Sequence, residues 1–357
     1  MSATIWLRHE TKKNEKRTPL TPEDASKLLA KDIRVIVERS PIRIFDDSEY
    51  EKIGCEMRDS NSWVTDAPVS SDVYILGLKE LDDTETFPIK HQHIYFAHIF
   101  KGQEGAEDVF KRYKEGRGKL YDLEFLQNET GRRVAAFGFW AGYIGTALAV
   151  ESYIHEEKGL GPCPLRFFES KNDWVKVIKN KLLDCKIPNT IIIGALGRCG
   201  TGAKSLLTDV GLECTPWDYE ETKKGGPFQE IIEHDIFINT VLMSKKIEPF
   251  INNELLKSND TLRIIGDVSC DPNSDLNPIP VYDDHTTWDN PLYRCKQSKS
   301  NLSVIAIDNL PSALPRESSE DFSEQLISHL INLGLKGEED YTWRNANSIF
   351  EQKKGSH

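Results

Sequence analysis

The stretch from Ile191 to Gly202, IIIGALGRCGTG, constrains the fold more than any other part of the chain, because an apolar β-branched run breaks into glycines and reopens as a helical pattern. Such a string reads as a strand, a tight turn and a helix N-terminus shaped for a phosphate. Gly194 permits the sharp turn, Gly197 lets backbone N–H groups approach a pyrophosphate, and Gly200 lets the helix pack on the strand. The positive end of that helix then faces the anion. The spacing is G-x-x-G-x-x-G rather than G-x-G-x-x-G, so the string gains weight only from a second residue. That residue is Asp218, which follows a helical segment (Ala203 to Val210) and lies 24 positions beyond Gly194. An acidic side chain about 20 residues on holds the ribose hydroxyls of NAD. Its charge also repels the extra phosphate of NADP. The alternative is a glycine-rich turn in an ordinary α/β sheet.

At 357 residues the chain has the length of two domains, each able to bury its own core. Hydrophobic content of 38% with 29% charged residues describes a globular protein without extended disorder. The net charge of −12 argues against nucleic acid as a partner, since phosphate backbones call for a basic face. Small anionic substrates need only local cations and stay open. Seven cysteines, odd in number and with no C-x-x-C, point to a reducing compartment, with no structural zinc and no metal site. The first residues lack the apolar core of a signal peptide, and the final KKGSH is not a peroxisomal address, so a cytoplasmic location is expected. The longest uncharged run, Val134 to Val150, contains Gly138, Gly142 and Gly145 and reads as a buried helix packed closely on another element, with no membrane span.

Along the chain, residues 3–7 and 33–38 read as strands flanking a helix that starts at Thr21-Pro22, an N-cap followed by proline. Val73 to Leu78 and Ile94 to Phe100 are further strand-length runs, and Ala106 to Tyr113 has helical spacing. Thr190 to Ile193, Ile236 to Asn239, Leu262 to Val268 and Leu302 to Ile307 continue the alternation, and helices are predicted over Glu317 to Leu335 and Tyr341 to Gln352. The fold class is α/β: two Rossmann-like, doubly wound parallel-sheet domains with an interdomain cleft. A nucleotide-binding domain over 138–316 is expected to interrupt a substrate-binding domain made of 1–137 and 317–357, with the last two helices packing back on the first domain.

Several strings carry a resemblance: LRHETKKNEKRTPLTP, ILGLKE, FAHIFKGQ, LYDLEFL, GRRVAAFGFWAG, GALGRCGTGA, KGGPF, DVS and IDNLPSALPRESS, running from Leu7 to Ser319. In this order they resemble the NAD-dependent, lysine-forming saccharopine dehydrogenases, distant relatives of alanine dehydrogenase and of the transhydrogenase nucleotide-binding subunits. FAHIFKGQ and GRRVAAFG are far more specific than the glycine turn. The resemblance implies NAD-linked oxidation of saccharopine to an imine and hydrolysis to L-lysine and 2-oxoglutarate, the last step of lysine synthesis by the aminoadipate route. Some fungal members carry a second cysteine that pairs with the one in the glycine turn; the matching position here is Thr240, so Cys199 is expected to stay a thiol.

By the same resemblance Lys79 is the amine base and His98 the second acid–base group, with Glu80 and Glu124 moderating their basicity. Oxidising a secondary amine requires removal of its N–H proton, and water must then be guided onto the imine, so two titrating groups with different duties are expected. Taken singly, Lys79 reads as a solvated charge and His98 as a satisfied core histidine; their joint occurrence in matching strings changes that. A substrate with three carboxylates needs fixed cations. Arg17 and Arg133 match substrate positions, as do Glu80, Gln103 and Phe137, while Arg132 matches a cofactor position. The Arg132-Arg133 pair is expected to be partly buried because an uncharged run follows it. Gly197 and Arg198 fall under the pyrophosphate, Asp218 and Thr222 beside the ribose, and Val268, Ile307, Asp308, Asn309 and Leu310 toward the nicotinamide, with Leu242 a further cofactor contact. The expected partners are the small molecules saccharopine, L-lysine and 2-oxoglutarate, the protein acting as a monomer. An alanine-dehydrogenase-like enzyme, or an NAD-binding protein without catalysis, are the other readings.

Overall fold

Runs of four residues buried at every position, such as Thr4–Leu7 and Thr190–Ile193, form the strands, and burial on both faces is what a parallel sheet covered by helices requires. The computed structural model describes residues 3–82 and 84–356. The chain divides into two units, one made of the segment up to Ala136 and the segment from Pro315 onward, the other of Phe137–Leu314.

The first unit begins β1 (Thr4–Leu7), α1 (Pro22–Leu29), β2 (Arg34–Glu38), α2 (Asp47–Lys52), β3 (Glu56–Arg58), α3 (Trp63–Asp66), β4 (Val73–Leu76), β5 (Gln92–Tyr95), α4 (Ala106–Gly116) and β6 (Lys119–Asp122). Its strands pair in parallel in the order β3-β2-β1-β4-β5-β6. The α1 helix starts where the sequence predicts, with the Thr21 hydroxyl accepting the Asp24 N–H at 3.2 Å. Winding changes direction between β1 and β4, and the crevice outside the carboxyl ends of such strands is where ligands bind in this class of sheet. The chain leaves β1 as Arg8-His9-Glu10 and leaves β4 as Gly77-Leu78-Lys79-Glu80.

The second unit holds α5 (Gly138–Glu157), α6 (Lys171–Leu182), β7 (Thr190–Ile193), α7 (Arg198–Val210), β8 (Thr215–Trp217), α8 (Tyr219–Thr222), β9 (Ile236–Asn239), α9 (Asn253–Leu256), β10 (Ile264–Asp267), β11 (Tyr293–Arg294) and β12 (Ser303–Ile305). The order is β11-β12-β10-β9-β7-β8, parallel except for β11, a two-residue edge strand antiparallel to β12. Here the change of direction lies between β7 and β9, at the glycine turn.

The uncharged run forms α5, and its glycines are sites of close approach. A Cβ on Gly142 would lie 1.8 Å from the Cys199 carbonyl oxygen, and one on Gly202 would lie 1.9 Å from that of Phe139. Thus α5 and α7 pack backbone against backbone. Among the described residues no helix is long and apolar enough to cross a membrane.

The chain then returns to the first unit as α10 (Pro315–Lys336) and α11 (Tyr341–Ser356), which lie against α1 and β6. Several strands stop earlier than their apolar runs: β4 ends at Leu76 rather than Leu78, β5 at Tyr95 rather than Phe100, and β12 at Ile305 rather than Ile307. The physical reason is visible at Gly77, where a Cβ would meet Arg8 Nε at 2.2 Å, and at His98, whose φ is 51°. At those ends the backbone turns away from the sheet to carry polar residues.

Candidate active site

Lys79 and Glu80 lie three and four residues past the end of β4, and His98 lies three past the end of β5, so neighbouring parallel strands deliver all three to the same end of the first sheet. His98 Nδ1 and Glu80 Oε1 are hydrogen-bonded. Burial pushes the Glu80 carboxyl up, but the hydrogen bond from His98 and the charges of Lys79 and His98 outweigh it and hold the pKa at about 2. The same hydrogen bond raises His98 above the ordinary histidine value against the opposing effects of burial and of Lys79. Glu80→Gln is therefore expected to shift the limb of the kcat/KM pH profile that reports His98 to lower pH, because the imidazolium loses its anionic partner. A limb that stays in place would show that Glu80 does not set the basicity of His98.

A cavity of about 610 Å³ opens beside this pair, lined by Glu80, His98 and Gln103 with Lys12 and Arg112 as its cations. Its size is that of a small-molecule site. Gln103 accepts the Lys101 N–H at 2.8 Å through Oε1, which leaves its amide NH2 as the donor. Glu124 is ion-paired with Lys101 at 2.7 Å and lies 3.7 Å from Arg133. Between the loops sits Asp122, a residue the sequence reading did not single out. It accepts the N–H of Ala97 at 3.3 Å and that of Glu124 at 2.8 Å, so one carboxylate ties together the segments that carry His98 and Glu124. Burial pushes its carboxyl up to about 6, opposed by the Glu124 N–H and reinforced by the Glu124 charge. A signal for it existed: an acidic residue closing a strand buried on both faces, as in KLYD.

The arginines differ in burial. Arg17 is buried, and its guanidinium forks onto Glu15 at 2.8 and 2.6 Å. Arg132 and Arg133, expected partly buried, are both exposed. They stand on a tight turn whose shape comes from Asn128, the Asn128 carboxamide oxygen accepting the N–H groups of Thr130 and Arg132 at 3.1 and 3.0 Å. The uncharged run that follows them starts its helix only at Gly138, too late to enclose the pair. Phe137, read as a substrate contact, is half-buried and precedes that helix in the second unit.

In the second unit the three glycines do three things. Gly194 has φ +89°, and a Cβ there would lie 2.5 Å from Thr240 Oγ1. The Thr240 hydroxyl bonds to the carbonyls of Ile193 and Gly194 at 2.9 and 3.0 Å, bracing the turn. A Cβ on Gly200 would lie 2.1 Å from the Gly194 carbonyl oxygen, which is the close helix-to-strand approach the motif requires. Gly197 is different: a Cβ there would meet only Gly194 O, at 3.3 Å. A small shift of that one carbonyl would admit a Cβ at Gly197, and no side chain caps the helix that it opens, so the first-turn N–H groups of α7 are offered outward.

Asp218 follows β8 beside that turn, accepting the Leu196 N–H at 2.8 Å, the Tyr219 N–H at 2.9 Å and, as the N-cap of α8, the Glu221 N–H. A carboxylate accepts about four such bonds, so after these three it can still accept from a ribose hydroxyl. Thr222 spends its hydroxyl on the Asp218 carbonyl at 2.8 Å. Arg198 is half-buried, its stem against Gly138. Leu242 is exposed, Val268 packs against Gly145, and Asp308 is exposed. Ile307 and Leu310 are enclosed in the core. The Asn309 carboxamide oxygen accepts the Trp288 indole N–H at 2.8 Å. These residues fit a dinucleotide, with Gly197 and α7 for the pyrophosphate and Asp218 for a ribose.

All seven cysteines are free thiols, and burial pushes Cys199 up. Glu151, His155 and Cys163 converge closely enough to hold a metal ion. However, Lys181 lies 2.6 Å from Glu151 and 2.9 Å from His155, and Arg166 lies 2.9 Å from Glu151. Two side-chain cations already neutralise the cluster.

Residues 6–144 match the family model described as the alanine dehydrogenase/PNT N-terminal domain. The saccharopine dehydrogenase (NAD+, L-lysine-forming) of Emericella nidulans is 46% identical, the match covering 99% of this chain and 97% of that protein. Its counterpart from Yarrowia lipolytica is 44% identical over 98% of this chain and 96% of that protein. Among solved structures, an L-alanine dehydrogenase aligns with a TM-score of 0.68 at 16% identity over 98% of this chain and 94% of that one. The transhydrogenase of Sinorhizobium meliloti aligns with a TM-score of 0.63 at 15% identity over 92% of this chain and 94% of that one. These two share the fold. Identity above two in five from one end to the other is a closer relation, and by it the chain belongs to the NAD+-dependent, L-lysine-forming saccharopine dehydrogenase family.

Proposed function

We propose that the chain catalyses the NAD+-dependent oxidative cleavage of saccharopine to L-lysine and 2-oxoglutarate. The observation that carries this reading is the grouping of Lys79 with the hydrogen-bonded Glu80–His98 pair at the carboxyl ends of adjacent strands, beside a cavity of ligand size. Lys79 accepts the proton of the substrate's secondary amine, freeing the nitrogen lone pair to expel hydride from the adjacent carbon. NAD+, when bound, supplies the hydride acceptor. His98 then handles the proton of the water that adds to the imine and of the amine that leaves, with Glu80 holding the ring and stabilising its charged form. Gln103 and Arg133 face the substrate carboxylates, and Lys101 is drawn to the same place by Glu124. In the second unit Gly197 and Arg198 receive the pyrophosphate and Asp218 the adenosine ribose.

The direct test is NADH consumption with L-lysine and 2-oxoglutarate, run beside pyruvate with ammonia. Oxidation that requires both lysine and 2-oxoglutarate is the expected result. Activity with pyruvate and ammonia alone would transfer the chain to alanine-dehydrogenase chemistry, and NADH binding without turnover on either pair would remove the catalytic reading.

Cofactor choice has its own test. Asp218→Ala is expected to weaken NADH binding about tenfold, the scale of a hydrogen bond to a charged group, and to raise the NADPH-to-NADH preference because the repelling carboxylate is gone. An unchanged preference would mean that another group reads the ribose.

A further inference from the structure

Both main-chain groups of Lys79 are held by one buried ion pair. The Glu10 carboxylate accepts the N–H of Leu78 at 2.7 Å and the N–H of Lys79 at 2.9 Å. On the other side of the same residue, Arg8 donates through Nη2 to the Lys79 carbonyl. Arg8 Nη1 lies 3.4 Å from Glu10 Oε1, so the guanidinium and the carboxylate also hold each other. Arg8 is 3% exposed and Glu10 6%. The local sequence makes space for this arrangement: Gly77 has no side chain where Arg8 passes, and a Cβ there would sit 2.2 Å from Arg8 Nε.

A buried ion pair of this kind is a poor device for stability alone, because removing two charges from water offsets most of their attraction, and apolar side chains of similar volume would pack as well. Burial pushes the Glu10 carboxyl up, and Arg8 together with the two N–H groups opposes that push. What apolar side chains could not do is bind an N–H and a carbonyl at once. Lysine carries its ammonium on a flexible four-carbon stem, so the position of its nitrogen depends on how firmly the root of that stem is fixed. Groups that act on substrate gain when a supporting set of hydrogen bonds fixes them in the productive geometry.

We infer that Glu10 and Arg8 are positioning residues for Lys79, clamping the peptide at the end of β4 so that its amine stands at the substrate nitrogen. The inference rests on the reading of Lys79 as the amine base. It concerns residues that hold the main chain of Lys79, and it joins the two strands that flank the change of winding: β1 supplies the clamp and β4 the base.

The test is a cycle of variants assayed for kcat, KM and NADH affinity. Glu10→Gln keeps the size but sets an NH2 against a backbone N–H, so one of the two bonds is lost. A displacement of the amine by about 1 Å lowers kcat on the order of 10²-fold, with NADH affinity unchanged. In a Lys79→Met background the same Glu10→Gln change is expected to alter the residual turnover by about twofold or less, since a residue that acts only through Lys79 has nothing left to act on. Arg8→Lys serves if Glu10→Gln does not fold. It keeps the charge opposite Glu10 but loses the fork that reaches the Lys79 carbonyl, and a smaller, equally selective fall in kcat is expected. Equal losses in both backgrounds, or unchanged kcat in both Glu10→Gln and Arg8→Lys, overturn the positioning role. Unchanged turnover in Lys79→Met alone is a different result: it removes the base itself, and the clamp's function with it.

Discussion

Lys79→Met is expected to lower kcat by about 10²- to 10⁴-fold, the range a positioned general base contributes, while NADH affinity stays where it was. Methionine fills nearly the same length as lysine but cannot take a proton from the substrate nitrogen. Hydride cannot leave readily from a carbon beside a protonated amine, so the loss falls on the chemical step. The prediction separates the two units of the protein. Lys79 follows β4 in the first unit, whereas Gly197, Arg198 and Asp218 stand in the second. Fluorescence titration with NADH and steady-state assay of the same preparation check both halves. A variant that turns over at the wild-type rate would end the assignment of Lys79, and one that loses NADH binding together with kcat would show that the substitution disturbed more than the base.

The other large effect is expected from a buried glycine that packs against backbone. In Gly142→Ala the new Cβ would sit 1.8 Å from the Cys199 carbonyl oxygen and 2.9 Å from its Cα, both backbone atoms that no rotamer change can move. The α5 and α7 helices must separate, and the expected cost is about 3 kcal/mol, the upper part of the range for overpacked cores. For a cooperative unit of this size that corresponds to a fall in melting temperature of roughly 6–12 °C. Because Cys199 lies in the first turn of α7, NADH affinity should fall as well. Gly197→Ala is the informative contrast. Its Cβ would meet one protein atom at 3.3 Å and its φ of −71° suits any residue, so stability should change by about 1 kcal/mol or less. NADH affinity should nevertheless drop, since the methyl group occupies the approach of the pyrophosphate. Equal stability losses for the two substitutions would refute this division between a packing glycine and a ligand glycine.

Much of the architecture was readable because its signals are local. A run such as TIII followed by glycines and then RCGTGAKSLL announces β7, its turn and α7 within twenty residues. The glycines of the uncharged run announced a helix closely packed on another element, and α5 is that helix. Short elements escaped for the complementary reason. The three residues of β3 and the two of β11 carry no periodicity to detect and become strands only by pairing with a neighbour. Strand ends were also read too long, because the apolar character of Leu78 and of Phe96 to Phe100 continues past the point where the backbone leaves the sheet.

The candidate site divides along the same line. Lys79, His98, Glu80, Asp218 and the glycines were identified from strings of the sequence, which determine which chemical groups the chain owns and, through strand order, that several of them leave the sheets at carboxyl ends. Which group meets which was decided only in three dimensions. The His98–Glu80 bond spans 18 positions, the hold of Glu10 on Lys79 spans 69, and that of Asp122 on Ala97 spans 25. Arg17, read as a substrate cation, is forked onto Glu15, and the Arg132-Arg133 pair is exposed on an Asn128 turn with Arg133 3.7 Å from Glu124. Hydrogen bonds and ion pairs act over about 3 Å whatever the separation along the chain, whereas hydrophobic period and turn chemistry are properties of neighbouring residues. The sequence by itself therefore determined the α/β alternation, the nucleotide turn and the identity of the titrating groups; the tertiary structure alone decided their partners, their burial and the carboxylates that hold them in place.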